Sequence, residues 1–209
     1  MTRSIAFMSL RKSYCQRRAL IESLKKLVQP SYERLNLESA KSNGDRRIRR
    51  IAVAAVMTAF VTVATFLIQI PNPPTHGYIN VGDAMIFTMS LTFGSYIGGV
   101  TGGLGSALSD MWAGYGYFAP FTLIIKGCEG LVSGFISDRK TFSRDLLAVL
   151  VGGIIMVSGY FLAEAFLLGY GIQAALTEVL GNTIQIAVGA IIGIPVSHVV
   201  RRRLPVEFK

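Results

Sequence analysis

The chain has 209 residues, 51% of them hydrophobic and 16% charged, with 22 glycines and a mean hydropathy of +0.48. A soluble domain carries about 25% charged residues, and 22.7 kDa encloses too small an interior for this much apolar surface, so a soluble globular fold and a disordered chain are both excluded in favour of a polytopic membrane protein. The formal net charge of +9 sits wholly in residues 1–50, which hold 13 Lys+Arg and 4 Asp+Glu, while residues 51–209 hold eight of each.

The basic arm comes first, and the pI of 9.8 describes it alone. Beside an apolar body it reads as a cytoplasmic segment near anionic headgroups, not as a nucleic-acid surface. It has no h-region with a small-residue cleavage site, so no secretory signal peptide is expected. Tyr14–Val28 fits an amphipathic helix with Leu20, Ile21, Leu24, Leu27 and Val28 on one side, stopped by Pro30; a disordered arm fits the composition equally. Cys15 and Cys128 are isolated and make neither a disulfide framework nor a metal site.

Apolar windows then mark six spans: Ile51–Ile70, Val81–Gly98, Val100–Ala113, Phe118–Ile136, Leu146–Leu168 and Leu176–Val200. The loop at 71–80, with Pro71, Pro73, Pro74 and Gly77, is not helical for long. The third span is short and rich in glycine, and charge parity decides for it. Basic residues occur in the arm, in Asp138–Arg144 and in the tail, and none occurs in the loops at 71–80, 113–117 and 169–175. The positive-inside rule puts the three basic places in the cytoplasm, which requires four spans before Asp138 and two after Arg144. The expected fold is therefore an all-α membrane bundle of six transmembrane helices with both termini cytoplasmic. It divides into a basic arm at 1–50, a membrane domain at 51–203 and a cytoplasmic tail at 204–209. Gly94, Gly98 and Gly102, Gly99 with Gly103, Gly130 with Gly134, and Gly189 with Gly193 recur at four-residue spacing, which lets helix backbones approach in lipid; Ala55 and Ala59 repeat the spacing in the first span. No repeat relates the two halves, so an inverted-repeat transporter is not expected.

Ionisable groups within spans default to functional candidates. At about 1.5 Å per residue, Lys126 lies roughly 12 Å down the fourth span and Glu129 near the midplane, three residues on and able to pair. Glu164 lies near the outer end of the fifth span, and Glu178, Asn182 and Gln185 occupy the outer half of the sixth. Asn80 and Asp83 open the second span; capping of the helix is the preferred role for Asp83. Asp110, Trp112, Tyr115 and Tyr117 read as interface anchors. His76 and His198 have no metal-ligand company and read as incidental. Apart from Glu129 the polar groups lie in the outer half, and the inner half is nearly pure Ala, Val, Ile, Leu and Gly. A through-channel needs polar lining along its length; this pattern fits a blind pocket open to the outside, with the loop 71–80 as its lid. The chain has no P-loop, no H-E-x-x-H and no serine–histidine dyad, so an enzyme is the weaker class.

The runs GYINVGDAMIF (77–87), FGSYIGGVTGGLGSALSD (93–110) and GYGYFAPFTLIIKGCEGLVSGFI (114–136) resemble the membrane-embedded substrate-binding subunits, or S components, of energy-coupling-factor (ECF) vitamin transporters, in particular the riboflavin-type group. The resemblance covers about Ile51 to Arg203 and is strongest across 77–136. It implies six helices with both ends inside and a water-soluble vitamin or vitamin precursor bound near the outer face under the first loop. It also implies partners: a transmembrane coupling protein and two ABC-type ATPases, which consume the ATP, so that this chain needs no cofactor. On these positions it implies binding by Asn80, Lys126, Glu129, Glu164, Asn182 and Gln185, and docking of the coupling protein on Ala55 and Ala59. The long basic arm departs from the family's compact N-terminus. A stand-alone facilitator or channel would need polar lining in the inner half, and a lipid-acting enzyme a reactive pair such as Asp110 with Tyr115.

Overall fold

The computed structural model describes residue 44 and residues 47–204. The expected helix Tyr14–Val28, with nearly all of the arm and the tail beyond 204, lies outside the described residues.

The unit Arg50–Lys209 is a helical bundle. Helix α1 (Arg47–Leu67) presents Ala54, Val61, Thr62 and Thr65 inward and leaves Ile51, Val56, Phe60, Val63 and Phe66 exposed, a stripe at helical spacing in which the outward residues suit lipid. The helix stops three residues short of the expected end. Ile70 precedes Pro71, and a residue before proline is pushed out of the helical region. Ile70 lies instead in strand β1 (Gln69–Asn72), paired antiparallel with β2 (Gly77–Asn80) in the register Gln69↔Asn80, Ile70↔Ile79, Pro71↔Tyr78 and Asn72↔Gly77.

Helices α2 (Gly82–Phe93), α3 (Ser95–Trp112), α4 (Ala119–Ile136), α5 (Phe142–Leu162) and α6 (Ile172–Arg203) follow, and α5 ends in a π turn, Ala163–Leu167. The second and third expected spans are cut in the wrong place. The chain reverses at Gly94, φ +90°, not at 98–100, and Gly98 lies inside α3 facing Ser90 and Gly130. A hydropathy window measures apolarity and is blind to a reversal within an apolar run. Among the described residues α1, α4, α5 with its π turn, and α6 are long and apolar enough to cross a membrane. Helix α2, at 12 residues, extends about 18 Å against a hydrocarbon core of about 30 Å. The structure and composition are thus those of an all-α polytopic membrane protein.

The α2–α3, α3–α4, α4–α5 and α5–α6 neighbours run antiparallel. Glycine sets the α3–α4 approach: a Cβ on Gly102 would sit 2.7 Å from the Lys126 carbonyl oxygen, one on Gly103 2.7 Å from that of Leu123, and one on Gly130 would overlap the Gly98 carbonyl. Backbone-to-backbone packing of this kind replaces the hydrophobic effect between helices in lipid. Gly189 and Gly193 of α6 likewise lie against Asp83, Phe87 and Ala84 of α2. The apolar core is divided into three small clusters: Phe87, Leu91, Ala148, Val149 and Ile194; Val61, Ile86 and Met89; and Ile125, Met156 and Ala163. Because α2 begins low, the hairpin-end third of the bundle has no helix where α2 would otherwise stand. The β-hairpin fills that space.

Candidate functional site

The hairpin is fastened at several points. Asn72 Nδ2 donates to Thr75 Oγ1 at 3.1 Å within the turn and to Thr177 Oγ1 of α6 at 3.3 Å. Tyr78 Oη donates to Asp110 Oδ1 of α3 at 2.5 Å, and its ring packs on Tyr115 with centroids 4.7 Å apart. Burial, with the Asp110 carboxyl beside it, holds the Tyr78 hydroxyl far above the ordinary phenol range, so it remains a donor. Tyr117 Oη donates to the His76 carbonyl at 2.7 Å. Asp110 is therefore not the interface anchor expected of it: it is 3% exposed and ties the hairpin to α3. Trp112 and Tyr117, also expected as anchors, are both exposed.

Beneath the hairpin lies a fully buried charge cluster. Lys126 Nζ contacts Asp83 Oδ1 and sits 3.2 Å from Glu129 Oε2, so the expected Lys126–Glu129 pair forms and Asp83 joins it. Asp83 is not a helix cap, since the N-cap position of α2 is Val81 and Asp83 turns its carboxylate to Lys126 and Gln185. Its other oxygen accepts from Gln185 Nε2 at 2.7 Å, and Gln185 Oε1 accepts from the Asn80 backbone N–H at 2.7 Å. Asn80 Oδ1 in turn accepts from Gly82 N at 2.8 Å. Gln185 thus joins the hairpin's last residue to the charge cluster. In a medium that penalises each unpaired ion by several kcal/mol, such mutual pairing is what allows three ionisable groups to be buried.

A cavity of about 30 Å³ lies between hairpin and cluster, room for about one water molecule. Asn80, Lys126, Asn182 and Gln185 line it, as do Tyr78, Asp110, Thr122, Tyr160 and Glu178. The Asn182 side chain, 4% exposed, makes no hydrogen bond among the described residues and faces the cavity. Glu129 and Glu164 are not in the wall. Glu129 stands behind Lys126. Glu164 stands behind Glu178, put there by the π turn, a feature frequent at functional sites. Among the described residues no donor reaches either Glu164 oxygen, Glu178 Oε2 or Glu129 Oε1. Tyr78, Thr122 and Tyr160 escaped the sequence reading because hydroxyls at apolar positions carry no periodic signal; Tyr160 Oη donates to Thr122 Oγ1 at 3.0 Å.

The end of the bundle away from the hairpin is more polar than the sequence suggests. Asp145, fully buried, accepts from Ser137 Oγ at 2.5 Å and from Arg201 Nη2 at 2.6 Å, and bonds His198 Nε2 at 2.7 Å. His198 is not incidental. Asp145, not among the expected site residues, lies in the first turn of α5 facing α6. Ala55 and Ala59 are exposed on the outer side of α1.

Residues 46–202 match the model of a family described as ECF-type riboflavin transporter, S component. A Pyrococcus woesei protein described as an uncharacterised protein in the gap 3′ region is 43% identical over 145 residues, covering 69% of this chain and 96% of that one. The thiamine precursor transporter HmpT of Lactococcus lactis subsp. cremoris is 30% identical over 159 residues, covering 76% of this chain and 91% of that one.

Proposed function

This chain belongs to the ECF-type riboflavin transporter S-component family, a family of multi-pass cell-membrane transport subunits and not of enzymes, and from that premise we propose that it captures a water-soluble vitamin or vitamin precursor in the cavity under the hairpin. In this reading all six helices count as spans, both ends of the chain lie in the cytoplasm, and the hairpin faces outside. The basic residues at the opposite end, Arg139, Lys140, Arg144 and Arg201–Arg203, support that orientation. Transport then requires a transmembrane coupling protein, docking on the Ala55–Ala59 face of α1, and two ABC-type ATPases that hydrolyse the ATP. The chain itself uses no cofactor.

The observation that carries the reading is a small cavity with several polar side chains in its wall, covered by a hairpin held through side chains. A volume of about 30 Å³ admits no vitamin, so the hairpin must lift for the ligand to enter. Its ties at Tyr78–Asp110, Asn80–Gln185 and Asn72–Thr177 are hydrogen bonds of about 1 kcal/mol net each, within reach of the binding energy of a tight ligand. The wall also speaks to ligand chemistry. Lys126 is already matched by Asp83 and Glu129, whereas Glu178 Oε2, in the cavity wall, lacks a donor among the described residues. The ligand that completes this bond is a small heterocycle bearing N–H groups, neutral or cationic, in preference to an anion. A thiamine precursor, the cargo named for the Lactococcus relative, belongs on the test panel for that reason.

A thermal-shift panel on the detergent-purified chain tests this: thiamine, its pyrimidine and thiazole precursors, riboflavin, and phosphorylated thiamine as the anionic control. An unphosphorylated heterocycle is expected to raise the melting temperature strongly, as tight binding requires, and Asn182→Ala to weaken binding about tenfold, the loss of one hydrogen bond of about 1.4 kcal/mol. No shift with any compound overturns the capture reading, and a shift with the phosphorylated control alone overturns the ligand chemistry.

A further inference from the structure

The end of the bundle away from the hairpin carries a second cavity, of about 530 Å³, which vitamin capture leaves without a role. Its wall combines Thr92 at the end of α2, Asp138, Arg139 and Lys140 from the α4–α5 loop, and His198, Arg201 and Arg202 from the last turns of α6.

The charges in this wall are unequally committed. Asp138 is engaged by the loop itself: its oxygens accept from Lys140 N at 2.9 Å, Thr141 N at 2.8 Å and Thr141 Oγ1 at 3.0 Å. Arg201 and His198 are engaged by Asp145. Arg139, Lys140 and Arg202 remain, exposed and without a carboxylate partner among the described residues. The Nε of Arg201 is buried and makes no hydrogen bond among the described residues either. Arg139 has φ +58°, a conformation that non-glycine residues rarely adopt. Its guanidinium lies beside Gly94, in ordinary contact range of where a Cβ would stand. Three cations and an unsatisfied N–H donor around one concavity match an oxyanion, for which guanidinium groups are the preferred partners.

The surroundings select the source of that oxyanion. Phe135, Phe142 and Val199 are exposed beside the same loop and helix end, and Phe142 packs edge-on against His198 of the cavity wall. The basic cavity therefore opens where the lipid-facing apolar surface of α4, α5 and α6 ends, at the level of the headgroups. We propose that this cavity binds the phosphate of an anionic phospholipid headgroup, with Arg139, Lys140 and Arg202 as its partners and the acyl chains lying along Phe135, Phe142 and Val199.

Native mass spectrometry of the delipidated full-length chain, titrated with phosphatidylglycerol, phosphatidylcholine or inorganic phosphate, tests the proposal. Phosphatidylglycerol is expected to give one retained adduct at substoichiometric lipid, phosphatidylcholine to bind at least tenfold more weakly, and inorganic phosphate at millimolar concentration not to displace the adduct. The variant Arg139→Gln/Lys140→Gln/Arg202→Gln is expected to lose at least tenfold in phosphatidylglycerol affinity. Arg17→Gln/Arg18→Gln/Lys25→Gln, an equal charge loss in the arm, keeps it within twofold. Equal retention by the cavity variant and the parent overturns the site, and so does a loss in the arm variant as large as in the cavity variant. Displacement by inorganic phosphate overturns the lipid as source and leaves a soluble phosphate site. Should the triple variant fail to give a helical circular dichroism spectrum, Arg202→Gln alone, at an exposed helix end, carries the test with an expected threefold loss.

Discussion

The two ends of this bundle handle charge in opposite ways. At the hairpin end Lys126, Asp83 and Glu129 are fully buried, close upon one another and leave a cavity of about 30 Å³. At the other end a cavity of about 530 Å³ is walled by Arg139, Lys140 and Arg202, none of them matched by a carboxylate among the described residues. The contrast follows from solvent. Buried charges must be neutralised from within, because desolvation is too costly otherwise, so a ligand at the hairpin end exchanges partners with an existing network. Exposed cations lose little by waiting in water, so a ligand at the basic end adds partners without breaking any. On the proposed readings, binding at the first should be insensitive to ionic strength, and binding at the second should be screened by salt.

The largest expected effect tests the closed end. Lys126→Ala leaves two buried carboxyls without their cation and should destabilise the protein by about 3–5 kcal/mol, read as a fall in melting temperature in detergent. Asp83→Ala should cost less, because Lys126 keeps Glu129 at 3.2 Å. Equal costs would mean that the three groups do not act as one cluster. Next comes Asp145→Asn at the other end, which removes the counter-charge of Arg201 and should cost about 1–3 kcal/mol. It should leave vitamin affinity at the hairpin end within twofold; a tenfold loss would show the ends to be coupled and break the comparison. The smallest effect belongs to Asp138, whose carboxyl the backbone N–H groups of Lys140 and Thr141 lower from 3.8 to about 2. A lowered acid stabilises at pH values above its unfolded pKa and loses that contribution as pH falls through the folded one. The melting-temperature gap between the parent and Asp138→Asn should therefore be constant above about pH 4 and close between pH 4 and about 2.

Much of the fold is legible in the chain because lipid forces it to be. With no water to satisfy a bare backbone, apolar runs of sufficient length must be helices, and the windows at 51–70, 118–136, 146–168 and 176–200 each correspond to one. The break at Gly94 was not legible to a hydropathy window, which averages over the Gly94–Ser95 pair; the φ of +90° at Gly94 and the packing of Gly98 on Ser90 show that the chain has doubled back. Of the expected site residues, Asn80, Lys126, Asn182 and Gln185 reach the cavity. Glu129 and Glu164 stand one layer behind it, since position along a helix gives depth but not which neighbour a side chain meets. Asp110, expected as an interface anchor, was misread for the same reason: it lies near a predicted membrane boundary, and the fold places it under the hairpin.

The sequence alone determined the solvent, the number of helices, the polar character of one end and the family, because hydrophobic length, charge asymmetry and the runs between Gly77 and Ile136 are properties of consecutive residues. Tertiary structure decided the partners. Asp83 with Lys126, Gln185 with Asn80, Tyr78 with Asp110, and Asp145 with Arg201 are separated by 32 to 105 residues in the chain. No local preference selects such pairs; they form because α2 begins low and the glycine faces bring the helices close enough for a buried charge to find its counter-charge.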